Sequence, residues 1–524
     1  MLVQHGSSLE GLVAPLQVAD PSTSQAAETA SRPDELWRLV TAPGTVRFDV
    51  PRSSAGRHRL AAQVRALPAG AGVVLTSAAL GARRRFRGFA RDAGIELLRE
   101  YVGIPSLDPP TCYVEDSPSA LRYFLTQLVT LPRGGAVMTA ALAAIQNMTR
   151  YFFPAGLLRS AAPARIALGR VRPGVTAPTG DRVAPAVNEG SSLLDMPGMQ
   201  TLFIALSKDP NAKVSVLLIP RGRTQPTLAV KLPTTVGAEA TIAAERAVLI
   251  DLHFRLPGPI LESIPRPRVL QEVRGRPSLV TTALPGSPMT TRYHAWRHLA
   301  TPAAVRADFL AVQTWLAKFQ TASAAERAPI DMDGGTTDTL RMRFAGEPRL
   351  DWLLFRLNAV HARLRASTTP RTAVHGDFWF GNLLLVGGEI SGVIDWESGA
   401  TRGEPVRDIV RFAISYALYL DRHTRAGHRV AGHPGLRAGP WGCGIAWAFD
   451  GEGWFPEVVR EFVQDGLKRL GADPDCWREA MLAGLAEVAA TADHPDFARR
   501  HFELFDRLSD SQGAASRNNT VSAA

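Results

Sequence analysis

The sequence predicts an α+β protein of more than one domain, and three observations carry that prediction. The chain has 524 residues, and a domain takes roughly 150. Runs with strand character and runs with helical apolar spacing follow one another along most of its length, which is the pattern of mixed layers around several cores. The stretch RPGVTAPTGDRVAPAVNEGSS, Arg172 to Ser192, is rich in Pro, Gly and Thr without periodicity and reads as a linker. Hydrophobic residues make up 45% and charged residues 21%, so there is apolar material for sizeable cores. Glycine and proline, 45 and 38 residues, stay below the roughly 25–30% of low-complexity chains. Collagen, a disordered tail protein and a disulfide-stapled miniprotein are excluded.

In order along the chain, residues 1–33 are polar and aperiodic and read as a disordered tail. They lack the basic and apolar regions of a secretory signal. A smaller α/β accessory domain is expected over 34–171. It opens with a buried strand, GVVLTSAAL from Gly72. A helix RRRFRGFARDAGIELLREYV follows, its apolar face formed by Phe86, Phe89, Ala90, Ile95, Leu97 and Leu98 and weakened or split by Gly94. Strands YVGIPS and TCYVE flank the turn LDPP, and PSALRYFLTQLVT reads as a helix. The stretch GIELLREYVGIPSLDPPTCYVE weakly resembles the closing half of a class I methyltransferase domain, over about residues 70–130. The Gly-rich turn such an enzyme needs is not there, because the glycines of Ala69–Gly72 precede the strand instead of following it. The resemblance implies a degenerate or accessory domain. The alanine-rich stretch 135–168 reads as interdomain helix, 172–192 as the linker, and 509–524 as a second disordered tail.

Charge is uneven. Residues 1–180 hold 20 arginines, no lysine and 12 acidic residues, a net of +8 out of +10 for the whole chain. The local run Arg83, Arg84, Arg85, Arg87, Arg91 reads first as a solvated helix face. It leaves peripheral contact with an anionic membrane open, whereas nucleic acid is not expected, since no aromatic interleaving or motif accompanies it. The longest uncharged stretches, between Arg65 and Arg83 and between Arg133 and Arg150, fall short of the roughly 20 apolar residues of a membrane span. Three dispersed cysteines, Cys112, Cys443 and Cys476, form no CxxC pair and fit a reducing cytoplasm.

The chemistry lies beyond the linker. TLAVKLP is a strand ending near Lys231, and AEATIAAERAVLIDLH is a helix carrying Glu245 fourteen residues on. A lysine on a buried strand needs a carboxylate, and the helix can bring one back. Then AVHGDFWFGNLLLVGGEISGVIDWE runs from Ala373 to Glu397. It places His375, Asp377 and Asn382 in H-x-D-x4-N spacing, followed by a strand, a turn at Gly387 and Gly388, a second strand and Asp395. On a loop, Asp377 can take the proton of an attacking hydroxyl. Asn382 and Asp395, brought together by the hairpin, offer the oxygen ligands that Mg²⁺ prefers.

HGDFWFGN followed by GVIDWE resembles the catalytic and metal-binding motifs of the aminoglycoside phosphotransferase and choline kinase family. GEPVRDIVRFA with Asp408, and AVKLP, Glu245 and TTALPGSPM upstream, extend the likeness over about residues 195–500. The resemblance implies a bilobal protein-kinase-like fold, with a small β-rich lobe at 193–285 and a large helical lobe with acceptor-binding helices at 286–508. It implies ATP and Mg²⁺ as cofactors and Asp377 as the base. Asn382 and Asp395 become metal ligands, Lys231 positions phosphates with Glu245 fixing it, and His375 and Asp408 become loop supports. The loop that should cover the phosphates, KDPNAK between QTLFIALS and KVSVLLIP, contains no glycine. Ser207 is its candidate phosphate partner. Trp441, Trp447 and Trp454, set among glycines, are candidates for an aromatic acceptor wall. The expected activity is transfer of the γ-phosphoryl of ATP to a hydroxyl of a sugar, amino sugar or amino alcohol. Two alternatives stay open: a catalytically weak kinase-like binding or regulatory protein, and a bifunctional enzyme of glycan or lipid-intermediate biosynthesis.

Overall fold

A computed structural model describes residues 41, 44–77, 82–104, 112–128, 165–172, 198–204, 213–273, 276–295 and 297–521. The expected tail 1–33, most of the alanine-rich stretch and all but Arg172 of the expected linker lie outside these residues. The chain divides into two compact units, one of residues up to 243 plus Pro267–Leu284, the other of Ala244–Arg266 plus Pro285 onward. As expected, the fold class is α+β, one unit built on a sheet and the other mainly of helices.

The first unit is organised by one ten-stranded sheet. Its strands are β1 Val46–Asp49, β2 Gly72–Ser77, β3 Ile95–Ile104, β4 Cys112–Glu115, β5 Arg165–Val171, β6 Met199–Ile204, β7 Lys213–Pro220, β8 Leu228–Pro233, β9 Pro267–Val273 and β10 Arg276–Thr282. They lie in the order β1-β2-β5-β3-β4-β6-β7-β8-β10-β9. Only β1 and β2 pair in parallel, and every other pair is antiparallel. This departs from the methyltransferase-like expectation, since a doubly wound domain has a mostly parallel sheet and here β2 and β3 are separated by the antiparallel β5.

The expected boundary at 172–192 does not separate two units either. Strand β4 pairs directly with β6, with Val114 opposite Leu202. The pairing is reinforced by the Tyr101 and Thr201 hydroxyls at 2.6 Å and by the Thr201 amide donating to Glu115 Oε2 at 2.8 Å. One apolar cluster runs under both halves, joining Val74, Tyr101 and Ile166 to Phe203, Val216 and Val230.

Alternation explains the layers. Val73 and Leu75 of β2 face helices α1 (Ser54–Arg65) and α2 (Ala82–Ala93), packing with Val64, Phe86 and Phe89, while Val74 points to the opposite cluster. The helix expected through Val102 ends at Ala93. Gly94 takes φ +72°, a left-handed conformation that stops the helix, and Ile95, Leu97 and Leu98 belong to β3. Part of the arginine run is paired: Arg83 lies 3.2 Å from Asp116, and Arg87 3.0 Å from Glu100. Buried Arg165 donates to Asp116 at 2.8 Å. A further short helix, α3, spans Pro118–Tyr123, and α4, Val236–Arg255, starts in this unit and passes into the second at Ala244.

The second unit contains α5 Met289–Tyr293, α6 Pro302–Ala322, α7 Thr336–Arg343, α8 Leu350–Arg365, α9 Val406–Leu418, α10 Cys443–Asp450, α11 Trp454–Arg469, α12 Trp477–Thr491 and α13 Pro495–Val521. Helix α9 is buried at nearly every position, from Val406 to Leu418, and forms the axis of the core. Phe309 of α6 meets Phe412 and Tyr416 of α9 edge-on, at 5.2 and 4.9 Å. The terminus expected to be without structure from Ser509 remains helical to Val521. Arg356 donates to the Ser509 carbonyl at 2.7 Å and Arg349 to Asp510 at 2.7 Å, which extends the helix past its apolar stripe.

Small strands carry the loops of interest. β11 Ser287–Pro288 pairs with β15 Leu383–Val386, which pairs with β16 Glu389–Val393. β12 Arg327–Pro329 pairs with β13 Thr368–Pro370, and β14 Thr372–Val374 with β17 Ala400–Gly403. Among the described residues no helix is long and apolar enough to cross a membrane.

Candidate active site

The HGD segment leaves β14 as a loop clamped from below by α9. Asp408, in the first turn of α9, is almost fully buried, and its two carboxylate oxygens accept the backbone amides of His375 at 2.8 Å and Gly376 at 2.9 Å. Burial pushes its carboxyl above the usual range, and the two amides are what the ionised form needs for compensation. Gly376 takes φ +80°, and a Cβ there would collide with the Ser398 carbonyl oxygen, so the turn accepts only glycine. His375 is buried. Its Nε2 donates to the Ile394 carbonyl at 2.8 Å while Nδ1 accepts the Asp377 amide at 3.3 Å, which fixes the tautomer and bonds the loop to the strand leading to Asp395. Trp396 packs on its ring at 4.7 Å.

A short helical turn, Phe380–Asn382, follows Asp377 and enters β15. Gly387 and Gly388, at φ +62° and +94°, form the two-residue turn between β15 and β16, a conformation with positive φ at both positions that suits a tight hairpin. The hairpin returns the chain so that the Ile394 amide donates to the Asn382 carbonyl at 2.9 Å. Asp395 is thereby brought beside Asn382. It holds φ +70°, one of two non-glycine residues in left-handed conformation among the described residues. Such strain at a loop bearing a charged side chain is typical of a functional position.

Asn382 is buried. Its Nδ2 donates to the Asp377 carbonyl at 3.0 Å and to Asp377 Oδ2 at 3.3 Å, while its Oδ1 has no hydrogen-bond partner. A buried amide oxygen left in that state costs about 1–3 kcal/mol unless a ligand satisfies it. With Asp395 on the strand bonded to Asn382, the two oxygen-bearing residues fit a hard divalent cation. No group of three His, Cys, Asp or Glu side chains among the described residues could hold a metal. A cation here would therefore complete its shell from phosphate and water.

Several supporting contacts escaped the sequence, one of them made by the expected residue Glu245. Glu245, 2% exposed, accepts the Trp396 amide at 3.2 Å and so braces the residue after Asp395. Glu404 is buried and accepts the Thr369 hydroxyl at 2.9 Å, the Asp331 amide at 3.1 Å and a bond from Arg371, tying β13 to the start of α9; burial raises its carboxyl. Arg411 donates from Nε and Nη2 to Asp377 Oδ1 at 3.0 and 2.7 Å. It follows Asp408 by three residues and shares that helix face, a relation that carries meaning only once the helix is known to clamp the loop.

Lys231 lies on β8 in the first unit, opposite Ser215 of β7 and Leu279 of β10. Ser207 and most of the glycine-free loop lie outside the described residues. The three tryptophans do not form one wall. Trp447 is buried and stacks on Phe455 at 5.8 Å, and it flanks His433 together with Trp454, at 5.1 and 4.9 Å. Trp454 also donates to the Gly432 carbonyl at 2.9 Å. Trp441 belongs to another cluster, with His501 and Phe497 of α13. Their apolar area is spent on packing the second unit, which explains why aromatic residues among glycines were a misleading signal.

The loop bearing Asp377 is buttressed by the buried Asp408, and the adjoining hairpin sets the oxygen-bearing residues Asn382 and Asp395 next to it. Residues 215–441 match the model of the phosphotransferase enzyme family, APH. The match covers less than half of the chain and supports a phosphotransferase as the class of the protein. No curated protein matches the chain. Among solved structures it is similar to a thermostable mutant of aminoglycoside phosphotransferase APH(4)-Ia in its apo form, at 12% identity over 59% of this chain and 94% of that one, TM-score 0.39. It is also similar to macrolide 2'-phosphotransferase MphH from Brachybacterium faecium (17%, 57% and 89%, TM-score 0.35) and to ADP-bound APH(2'')-Ib (15%, 59% and 92%, TM-score 0.35). Likenesses this loose add nothing to the family match.

Proposed function

We propose that the protein transfers the γ-phosphoryl group of ATP to a hydroxyl of a small molecule, a sugar, amino sugar or amino alcohol, and does so in the cytoplasm. The observation that carries this reading is Asn382, bonded to Asp377 with its Oδ1 left open, on a hairpin whose returning strand leads to Asp395. Asp377 Oδ2 is the base: it receives the acceptor's hydroxyl proton as the acceptor oxygen bonds to the γ-phosphorus and the bond to the β-phosphate oxygen breaks, releasing ADP. Asn382 and Asp395 would hold Mg²⁺, which supplies neutralisation of phosphate charge when bound. Lys231 is assigned to the donor's phosphates, and Glu245 to bracing the Asp395 strand. His375 and Asp408 hold the loop.

The test is a screen of γ-labelled ATP against pooled small metabolites, with Asp377→Asn alongside. Labelled product from the native chain and a loss of roughly 10²–10⁴-fold in the variant, with nucleotide binding retained, are expected. Nucleotide binding without any product across the panel would favour a binding or regulatory protein instead, the reading that the glycine-free loop sequence KDPNAK motivates.

A further inference from the structure

The carboxylate assigned as base is held asymmetrically. Both donors from Arg411 fall on Oδ1, at 3.0 and 2.7 Å. The single donor to Oδ2 is Asn382 Nδ2 at 3.3 Å, just beyond the 2.7–3.2 Å of a well-formed N–H···O bond. One oxygen is therefore locked and the other is free to receive a proton. The pair sits at a surface and not in the interior, with the two side chains 23% and 31% exposed. The guanidinium reaches Asp377 from α9, the most deeply buried helix of the unit, one turn beyond the residue that clamps the loop backbone. Its placement is therefore set by the same rigid element. Glu487 of α12 pairs with Arg407 at 3.3 Å and also lies within the field of Arg411, but the hydrogen bonds of the Arg411 guanidinium go to Asp377.

We propose that Arg411 is a positioning residue of the phosphoryl transfer, a role that rests on the kinase reading above. It fixes the Asp377 carboxylate plane so that Oδ2 faces the acceptor hydroxyl. It also cancels the carboxylate's charge, which would otherwise repel an approaching polyphosphate. The proton balance gives it a second effect. Before transfer the pair is neutral. When the acceptor O–H breaks and Oδ2 takes the proton, the pair carries one positive charge beside the newly formed phosphate ester, while the electron pair of the broken bond to phosphorus leaves with ADP. Arg411 thus presents its charge at the moment phosphate arrives on the acceptor.

The experiment compares the full chain with Arg411→Met, Arg411→Lys, Asp377→Asn and the Asp377→Asn/Arg411→Met double variant. The readout is transfer to the acceptor found by the screen or, with no acceptor in hand, slow hydrolysis of ATP with water as acceptor. Arg411→Met is expected to lower kcat by about 10- to 100-fold with KM for ATP changed less than about 2-fold and an unaltered circular dichroism spectrum, and Arg411→Lys to recover part of the loss. The double variant should be no slower than Asp377→Asn alone, because Arg411 acts through that carboxylate. A merely structural arginine would lower thermal stability and leave kcat intact. Arg411→Met within about 2-fold of native kcat, or losses that multiply in the double variant, would overturn the proposal. A native chain that neither transfers nor hydrolyses ATP overturns the kinase reading and the role of Arg411 with it. Native-like turnover in Asp377→Asn removes the base assignment first.

Discussion

Gly376 is the position where the backbone leaves least freedom, since its φ of +80° disfavours any side chain and the Ser398 carbonyl oxygen occupies the space a methyl group would need. Gly376→Ala should cost at least about 2 kcal/mol and misplace Asp377. The expected result is a lowered midpoint in urea unfolding together with loss of phosphoryl transfer. Asp395 presents the opposite case. It holds φ +70°, and on the proposed metal role its carboxylate is what matters, so Asp395→Asn, which keeps shape and tolerates that conformation, should leave the thermal unfolding midpoint within a few degrees of native while abolishing turnover. A variant that retained turnover would remove Asp395 from the metal role. Both residues are visible in the sequence because the chemistry demands their identity. Arg411 is not, because an arginine on an amphipathic helix has no identity requirement until the helix face is known.

At the scale of elements, the loop between α9 and α10 shows how burial decides the state of a titratable group. His433 is fully buried between Trp454, stacked at 4.9 Å, and Trp447, edge-on at 5.1 Å, and its desolvation pulls the imidazole down to about 4. Buried His501 is pulled the same way, to about 3. In the unfolded chain each ring takes up a proton near pH 6.5, whereas the folded ring stays neutral until far lower pH. Protons therefore favour unfolding as the pH falls from about 6.5 toward 4, and His433 alone should cost on the order of 2 kcal/mol between pH 7 and pH 5. Urea midpoints at the two pH values should show that loss, and His433→Phe should flatten the slope by its share; an unchanged slope would contradict the assignment. Elements with strict local signals are legible in the sequence, namely the β15–β16 hairpin with its paired glycines, β8, and the helix carrying Glu245. A helix carried through Gly94 is a false reading because a 3.6-residue period and a period of two overlap in so short a window, and only the left-handed glycine separates Phe89 from Ile95.

At the scale of the whole chain, the family match at 215–441 suggests a part that could be cut away from what precedes it, and the sheet says otherwise. A proline- and glycine-rich stretch marks where a chain changes composition, but strand pairing across it depends on partners far apart in sequence, which no local pattern encodes. Strand β6 donates one edge to β7 and the other to β4. Removing residues 1–195 would bare the second edge along Met199–Ile204, whose sequence MQTLFI is largely apolar and uncharged, and uncover Phe203 by stripping away Tyr101 and Tyr113 of the shared cluster. Natural edge strands avoid such exposure with charges, prolines or short length. The truncated chain 196–524 should therefore bind a hydrophobic dye and self-associate on size-exclusion chromatography, whereas the full chain should not. Replacing Leu202 in the truncated chain by lysine, a charge on the bared strand, should reduce the association without restoring stability. A truncated chain that is monomeric, cooperative in unfolding and undiminished in stability would show that the first five strands are an appendage and that the ten-stranded sheet carries no energetic coupling between its halves.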